Sequence, residues 1–267
     1  MKLAISNIAW DTKENNKIVN ILKDFGVKGV EVAPTKVCPE PENANSTLIV
    51  EFQQYWQSNN LELVAMQSLL FGKPHLSIFG DKQVETLDYL QTIIEMASAL
   101  STKALVFGSP KNRIVGTMDS RKARANAIEF FYALGDKAAQ KGLYFCIEAN
   151  PIAYGCDFLT ETLEALKFVQ EVNHPGMKLQ IDTGTMFINK EEPRDILERC
   201  LPYIGHFHIS EPHLNLVGNH DHTFIADCLK DLNYEGWVSI EMKNNALESD
   251  TIAVKAALEF VTKTYLQ

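Results

Sequence analysis

Short apolar segments alternate along the chain with longer segments of helical period. The apolar segments are rich in the branched and aromatic residues that strands favour. In the longer segments, apolar residues recur at three- and four-residue spacing, which predicts helices over Asn15–Phe25, Val84–Leu100, Ser120–Gln140 and Thr160–Val172. The apolar segments predict eight strands, at Leu3–Ser6, Gly29–Val32, Leu63–Gln67, Ala104–Phe107, Tyr144–Glu148, Leu179–Asp182, His206–Ile209 and Val238–Glu241.

This alternation predicts an α/β protein with a parallel sheet, because parallel neighbours need a crossover of a dozen or more residues. Eight such units are the number that closes a (β/α)8 barrel, and a doubly wound open sheet is the alternative. No glycine-rich dinucleotide fingerprint follows a strand, and polar residues end several strands rather than meeting at one switch point. We therefore expect residues 1–267 to form one TIM-barrel domain with its active site at the carboxyl ends of the strands.

Composition and charge narrow the class of protein. The chain is 46% hydrophobic and 22% charged, which allows a large core and excludes intrinsic disorder. Its 34 acidic and 25 basic residues give a net charge of -9, so we expect no nucleic-acid partner. Five cysteines without a C-x-x-C pair, and no apolar run of about 18 residues, favour a soluble cytoplasmic protein with no membrane partner.

Four ionisable residues stand at the ends of four consecutive predicted strands. Glu148 ends YFCIE, Asp182 ends LQID, His208 lies within HFHIS, and Glu241 ends VSIE. A barrel brings these strand ends to one mouth, where three crowded carboxylates repel one another unless a cation neutralises them. Three carboxylates and one imidazole suit one divalent ion such as Mn²⁺, Co²⁺, Mg²⁺ or Zn²⁺. A single acid at a strand end is more often solvated or in contact with a helix N-terminus than functional, so a metal site is predicted only from all four residues together.

A cationic turn after the fourth predicted strand indicates the charge of a ligand. In FGSPKNR, Gly108 and Pro110 shape the turn, while Lys111, Asn112 and Arg113 supply donors at the barrel mouth. We expect these donors to bind an anion. The alternative is that the two cations are solvated or paired with nearby acids.

Other polar residues are directed toward the mouth by their position alone. Asn7 follows the first predicted strand, Glu31 lies in the second, and Gln67 ends the third. His206 and His208 alternate along one strand and share one face, so both can reach the barrel interior.

Two loops each allow two interpretations. The apolar loop over residues 65–81, which contains Phe71, is either a lid that excludes water or a segment packed beneath a helix. His220 and His222, which follow the seventh predicted strand, either contribute to the site or lie on the surface, and the surface is favoured. Tyr154, just past the fifth strand, is a candidate for the rim of the site.

Four motifs, taken in order and spacing, resemble the xylose isomerase-like TIM barrels, a family that includes sugar phosphate isomerases and ketose 3-epimerases. The resemblance covers essentially the whole chain. It implies that Glu148, Asp182, His208 and Glu241 hold one divalent metal, and that the two glutamates are also the catalytic acid and base. The motifs are IEANP (147–151), IDTG (181–184), HFHISE (206–211) and LKDLNYEGWVSIEMK (229–243). The residues that we assign to substrate binding are Asn7, Gln67, Lys111, Asn112, Arg113, Asn150, Thr185 and His213.

The implied reaction is proton abstraction from a sugar carbon through a metal-stabilised enediolate. Return of the proton to the same carbon gives epimerisation, and return to its neighbour gives isomerisation. Thr185 and Leu214 stand where ketose 3-epimerases usually carry a histidine and an arginine. We therefore expect an isomerase or epimerase of a small anionic sugar, either a sugar phosphate or a sugar acid. An inosose-type dehydratase and a non-catalytic sugar-binding barrel are the alternatives, and the resemblance also allows a homo-oligomer.

Overall fold

Eight parallel strands pair in chain order and close into a barrel in the computed structural model, which describes residues 1–267. β8 pairs with β1, aligning Ile240 with Ile5, so no strand edge is left open. The predicted (β/α)8 barrel is confirmed, and each predicted strand lies within two residues of its observed bounds. The strands are β1 (Lys2–Ser6), β2 (Gly29–Val32), β3 (Glu62–Met66), β4 (Ala104–Phe107), β5 (Tyr144–Glu148), β6 (Met177–Asp182), β7 (Ile204–Ser210) and β8 (Trp237–Glu241).

Helices follow the strands and bury one face each. In α1, Ile18, Val19 and Leu22 are buried, while Lys17 and Lys23 are exposed, as expected for a helix packed on a sheet. None of the helices has the length and apolar character that crossing a membrane requires. The helices are α1 (Asn15–Asp24), α2 (Pro34–Val37), α3 (Ser46–Ser58), α4 (Gln83–Ala99), α5 (Ser120–Gln140), α6 (Thr162–Val172), α7 (Thr183–Asn189), α8 (Pro193–Cys200), α9 (Thr223–Asp231) and α10 (Asp250–Val261).

Side-chain caps fix where several helices begin. Asn45 accepts a hydrogen bond from the Leu48 amide at the start of α3, and Ser249 caps α10 in the same way. Asp182 is the N-cap of α7 and also the last residue of β6. This capping role places a carboxylate at the carboxyl end of a barrel strand.

The apolar core joins the barrel to its helices. Phe107 of β4 and Phe145 of β5 pack against Phe131 of α5, with ring centroids 5.3 and 6.1 Å away. A second, smaller cluster of five buried residues includes Ala4, Ala104 and Cys146. The strands are therefore held rigidly from both faces, and their carboxyl ends form a fixed frame for a site.

Candidate active site

A cavity of about 360 Å³ opens at the carboxyl ends of the strands. Glu148 from β5, Asp182 from β6 and Glu241 from β8 all line it. His208 of β7 is fully buried beside them. The barrel thus brings together the four residues that the sequence pattern selected, and no lysine or arginine lines the cavity.

The four side chains form a donor set for a cation. Single ligand atoms of Glu148, Asp182 and His208 lie within 4.8 Å of one another. His208 Nδ1 is 3.2 Å from Glu241 Oε2, but the pair lacks hydrogen-bond geometry, so this buried nitrogen has no hydrogen-bond partner. An unpartnered imidazole nitrogen among three carboxylates fits a divalent metal ion.

Burial and mutual repulsion perturb these carboxylates. Burial raises the pKa of Glu148, and the charges of Asp182 and Glu241 raise it further, while His208 and Arg113 offset part of the rise. The pKa of Asp182 is also raised, by burial and by the charge of Glu241. Protons or a cation are therefore favoured over three bare negative charges.

Asp182 is held by two donors on its own side of the barrel. The Thr185 amide donates to Oδ1 at 2.6 Å, and the Ser210 hydroxyl donates to Oδ2. Thr185 Oγ1 donates to the Ala149 carbonyl at 3.1 Å, and the residue is buried and does not line the cavity. Its predicted contact with substrate is corrected to a role in orienting Asp182, because both of its polar groups are used within the protein.

Arg113 does not belong to the predicted anion site. Its side chain is fully buried, with Nη1 donating to the Glu148 carbonyl at 2.8 Å and Nε to Cys156 Sγ at 3.1 Å. A guanidinium offers only donors, and here backbone and sulfur acceptors around the end of β5 take them. Arg113 supports the backbone of Glu148 instead of meeting a ligand.

The other two residues of the cationic turn are also displaced from the site. Asn112 Nδ2 donates to the carbonyls of Lys73 and Leu76, at 2.9 and 2.8 Å, and so ties the loop after β4 to the loop after β3. Lys111 is exposed and lines a neighbouring cavity, not the one with the carboxylates. The three predicted donors therefore do not converge on one anion.

Neutral donors line the cavity in their place. Asn150 is 5% exposed, and its Nδ2 has no hydrogen-bond partner within the protein. Gln67 Nε2 donates to Ser6 Oγ at 2.8 Å, which fixes its amide at the cavity wall. Tyr154 accepts a hydrogen bond from the His213 amide, and burial raises its pKa to about 12, so its hydroxyl stays protonated. Asn150, Gln67, His213 and Tyr154 all lie at the cavity, as the sequence predicted.

Asn7 and Glu31, which their sequence positions placed near the mouth, are both buried and do not line the cavity. Asn7 is buried, does not line the cavity, and accepts a hydrogen bond from the Ala33 amide at 3.0 Å, which corrects its assignment to substrate binding. Glu31 is also fully buried, 2.9 Å from His208 Nε2 and 3.3 Å from His206 Nε2. His206 is 1% exposed, consistent with the interior position that the strand period allowed.

Two residues that line the cavity belong to motifs noted in the sequence but were not assigned to the site. An added Cβ at Gly108 would lie 2.6 Å from Glu148 Oε2, so only glycine leaves room for that carboxylate. Glu211 accepts hydrogen bonds from three backbone amides and from His220 and His222, which lower its pKa to about 2 despite burial. His222 is fully buried between Glu211 and Tyr265, so the surface interpretation is wrong for it.

Four residues without glycine's freedom adopt positive φ angles at the cavity. They are Ser68 at 57°, Ser109 at 46°, His213 at 61° and Leu214 at 55°. Such conformations cost on the order of 1–3 kcal/mol each and persist only where the surrounding structure imposes them. The rim is therefore built from constrained loops.

The apolar loop after β3 fits the interpretation as a packed segment, and its role as a lid stays a prediction. Leu69, Leu70 and Ile78 are buried, as in a packed segment. Phe71, in contrast, is 69% exposed and lines the neighbouring cavity that contains Lys111. The apolar side chains of the loop thus pack mainly into the core, and Phe71 is exposed.

The chain belongs to the xylose isomerase-like TIM barrel family, whose model it matches over residues 19–264. It is 29% identical to the L-ribulose 3-epimerase of Methylomonas sp. strain DH-1 over 165 residues, which are 55% of this chain and 57% of that protein. It is 25% identical to the 3-dehydroshikimate dehydratase of Bacillus anthracis over 126 residues, 46% of this chain and 42% of that protein. The chain spans about half the length of the curated relatives it matches.

Among solved structures, the fold is similar to that of a 3-keto-D-glucoside 4-epimerase from E. coli. The TM-score is 0.82 at 17% identity, over 98% of this chain and 99% of that one. At this identity the likeness concerns the fold, and the chemistry must be argued from the side chains at the site.

Proposed function

We propose that this protein is a divalent-metal-dependent sugar epimerase or isomerase in which Glu148 and Glu241 exchange protons with a substrate carbon. The observation that carries the proposal is that both glutamates share one cavity with Asp182, and that the unpartnered Nδ1 of the buried His208 lies beside these carboxylates. Reversible proton transfer at carbon needs one group to remove a proton and another to return it. The relatives named as epimerases support this reaction class.

Glu148, Asp182, His208 and Glu241 would hold the metal. When bound, the ion would stabilise the negative charge that develops on the carbonyl oxygen of the sugar and so acidify the adjacent carbon. Carboxylate ligands with a single imidazole favour Mn²⁺, Co²⁺ or Mg²⁺ over softer ions, although Zn²⁺ also accepts such a set.

The frame around Glu148 suits a group that must keep its position during proton transfer. Arg113 donates a hydrogen bond to the backbone carbonyl of Glu148, and Gly108, which has no side chain, leaves room for the carboxylate of Glu148. Glu241 stands at the end of β8, beside His208. Because the two glutamates come from different strands, a sugar carbon placed between them can lose and regain a proton without moving far.

The substrate that we propose is an uncharged sugar of monosaccharide size, in place of the anionic sugar expected from the sequence. The cavity volume lies at the lower end of the roughly 300–1,000 Å³ range of ligand sites. Its lining offers the neutral donors Gln67, Asn150 and Tyr154 and no cationic side chain. Three carboxylates outweigh the charge of one divalent ion, so a phosphate would still meet negative surroundings without a cationic side chain, whereas hydroxyl groups can pair with the amides and the phenol.

The test is solvent deuterium incorporation, followed by NMR, into a panel of free and phosphorylated ketoses with Mn²⁺-loaded protein quenched before measurement. We expect deuterium at one carbon next to the carbonyl of a free sugar. Glu148→Gln and Glu241→Gln should each slow exchange by about 10²-fold or more. Glu235→Gln, an exposed glutamate before β8, is the matched control and should exchange normally.

Three results would contradict the proposal. Exchange at a normal rate in either active-site variant would remove that glutamate from the reaction. Exchange confined to phosphorylated sugars would restore an anionic substrate. Loss of water from a polyhydroxy substrate, with no exchange into recovered sugar, would favour the dehydratase alternative, to which the Bacillus anthracis relative gives support.

A further inference from the structure

A buried carboxylate that the proposed proton transfer does not use lies beneath the cavity. Glu31 of β2 has no exposed surface and does not line the cavity. Its contacts come from β7 and β8, two strands that do not pair with β2: Ser239 Oγ donates to Oε2 at 2.8 Å, and His206 Nε2 lies 3.3 Å from Oε1. A carboxylate this deep is costly unless its partners compensate for lost water, so these contacts define what it does.

A further partner of Glu31 is the proposed metal ligand His208. Nε2 of His208 lies 2.9 Å from Oε1 and 3.1 Å from Oε2 of Glu31. An ionised carboxylate only accepts hydrogen bonds, so Nε2 must carry the hydrogen. Nδ1, on the other side of the ring, faces Glu241 and has no hydrogen-bond partner. In its neutral form, an imidazole held in this way donates from Nε2 to Glu31 and keeps the electron pair of Nδ1 on the side of Glu241.

We propose that Glu31 is a positioning residue that fixes the ring orientation and tautomer of His208 for metal binding, an inference that rests on the proposed function. Without an acceptor at Nε2, a neutral imidazole could carry its hydrogen on Nδ1, and that form cannot bind a cation through Nδ1. A carboxylate behind the ring also makes Nδ1 a stronger electron-pair donor.

A competing role is that Glu31 is itself a metal ligand. Ligand atoms of Glu31, His206 and His208 also lie within 4.8 Å of one another, in a fully buried group. The hydrogen bonds from His208 and Ser239 already satisfy the carboxylate, however, and this favours the positioning role. The two roles predict different numbers of bound ions.

The first measurement is calorimetric titration of metal-free protein with Mn²⁺. Glu31→Gln keeps an acceptor but removes the charge, and Glu31→Met removes both at similar length. We expect the Mn²⁺ dissociation constant to rise about 10- to 100-fold in Glu31→Met and by a smaller factor in Glu31→Gln. Ser239→Ala, which removes one hydrogen bond to Glu31 but keeps the carboxylate that faces His208 Nε2, is the matched control and should bind Mn²⁺ almost normally.

The second measurement reports the tautomer directly. Nitrogen-15 NMR of histidine-labelled, Zn²⁺-loaded protein should show the His208 hydrogen on Nε2 and metal coordination through Nδ1. Glu31→Met should alter this signature while circular dichroism shows an intact fold. If Glu31→Met does not fold, the same two measurements on Glu31→Gln still decide the question.

Equal Mn²⁺ affinity in the wild type and both Glu31 variants would overturn the inference, as would a hydrogen on Nδ1 in the loaded wild type. Two ions in the wild type and one in Glu31→Gln would make Glu31 a ligand and also overturn it. A wild type that binds no ion would instead overturn the proposed function, so the two failures are distinguishable.

Discussion

Gly108 offers a sharp test of the site, because its replacement should separate catalysis from folding. An alanine Cβ at this position would lie 2.6 Å from Glu148 Oε2 and 3.3 Å from Asn150 Nδ2. Ordinary contacts of a Cβ lie at 3.4–4 Å, so the carboxylate must move by roughly 1 Å to relieve the overlap. The clashing atom is the free end of a side chain, and the backbone can therefore stay in place.

The expected loss of activity follows from that displacement. A misplacement of about 1 Å costs about 10²-fold in rate when reacting groups must be aligned, which corresponds to about 2.7 kcal/mol. We expect Gly108→Ala to lose about 10²-fold in kcat/KM and to bind Mn²⁺ more weakly, since Glu148 is also a proposed ligand. The thermal midpoint should move by only a few degrees.

The assay pairs deuterium exchange with thermal unfolding of the same preparation. Ser109→Ala, in the same loop and also at the cavity, is the control and should keep most of the activity, because its hydroxyl makes no hydrogen bond to Glu148. Near-normal kcat/KM in Gly108→Ala would refute the reasoning, since it would mean that Glu148 works equally well from another position.

Two further predictions concern charge at the site. Arg113→Met should lower the free energy of unfolding by about 1–3 kcal/mol for each carbonyl left without a donor. It should reduce the rate of exchange equally for free and phosphorylated sugars. A reduction confined to phosphorylated sugars would return Arg113 to substrate binding. Mn²⁺ should raise the thermal midpoint more at pH 8 than at pH 5.5. The pKa values of Glu148 and Asp182 are raised in the metal-free fold, so the stability of that fold falls as pH rises through those values. At the higher pH, fewer protons also compete with the metal for the same carboxylates. An equal rise at both pH values would contradict this.

The barrel and its four central residues could be predicted because both depend on local order in the chain. Each strand has its own apolar period, and closure of eight units then carries strand ends such as Glu148 and Asp182 to one mouth without knowledge of any particular contact. The prediction of the proposed metal ligands needed only that convergence.

The parts that could not be predicted depend on partners far away in sequence. Arg113 has the composition of an anion-binding residue, but it is buried against carbonyls of Glu148 and Leu159, 35 and 46 residues later. The contact of Glu31 with His208 spans 177 residues. The period of apolar residues does not indicate which acceptors surround a donor once the barrel has closed. The sequence therefore showed the charges of Arg113 and Glu31, but it did not show that both side chains are buried.

The network around Glu211 has a practical consequence for work with this protein. Glu211 forms part of the cavity wall and is bound by His222, whose Nδ1 lies 2.7 Å from the hydroxyl of Tyr265, two residues before Gln267. Two hydrogen bonds thus connect the last turn of the chain to the site. Any fusion or substitution that displaces Tyr265 would therefore act on the cavity wall through His222 and Glu211, far from the altered residue in sequence.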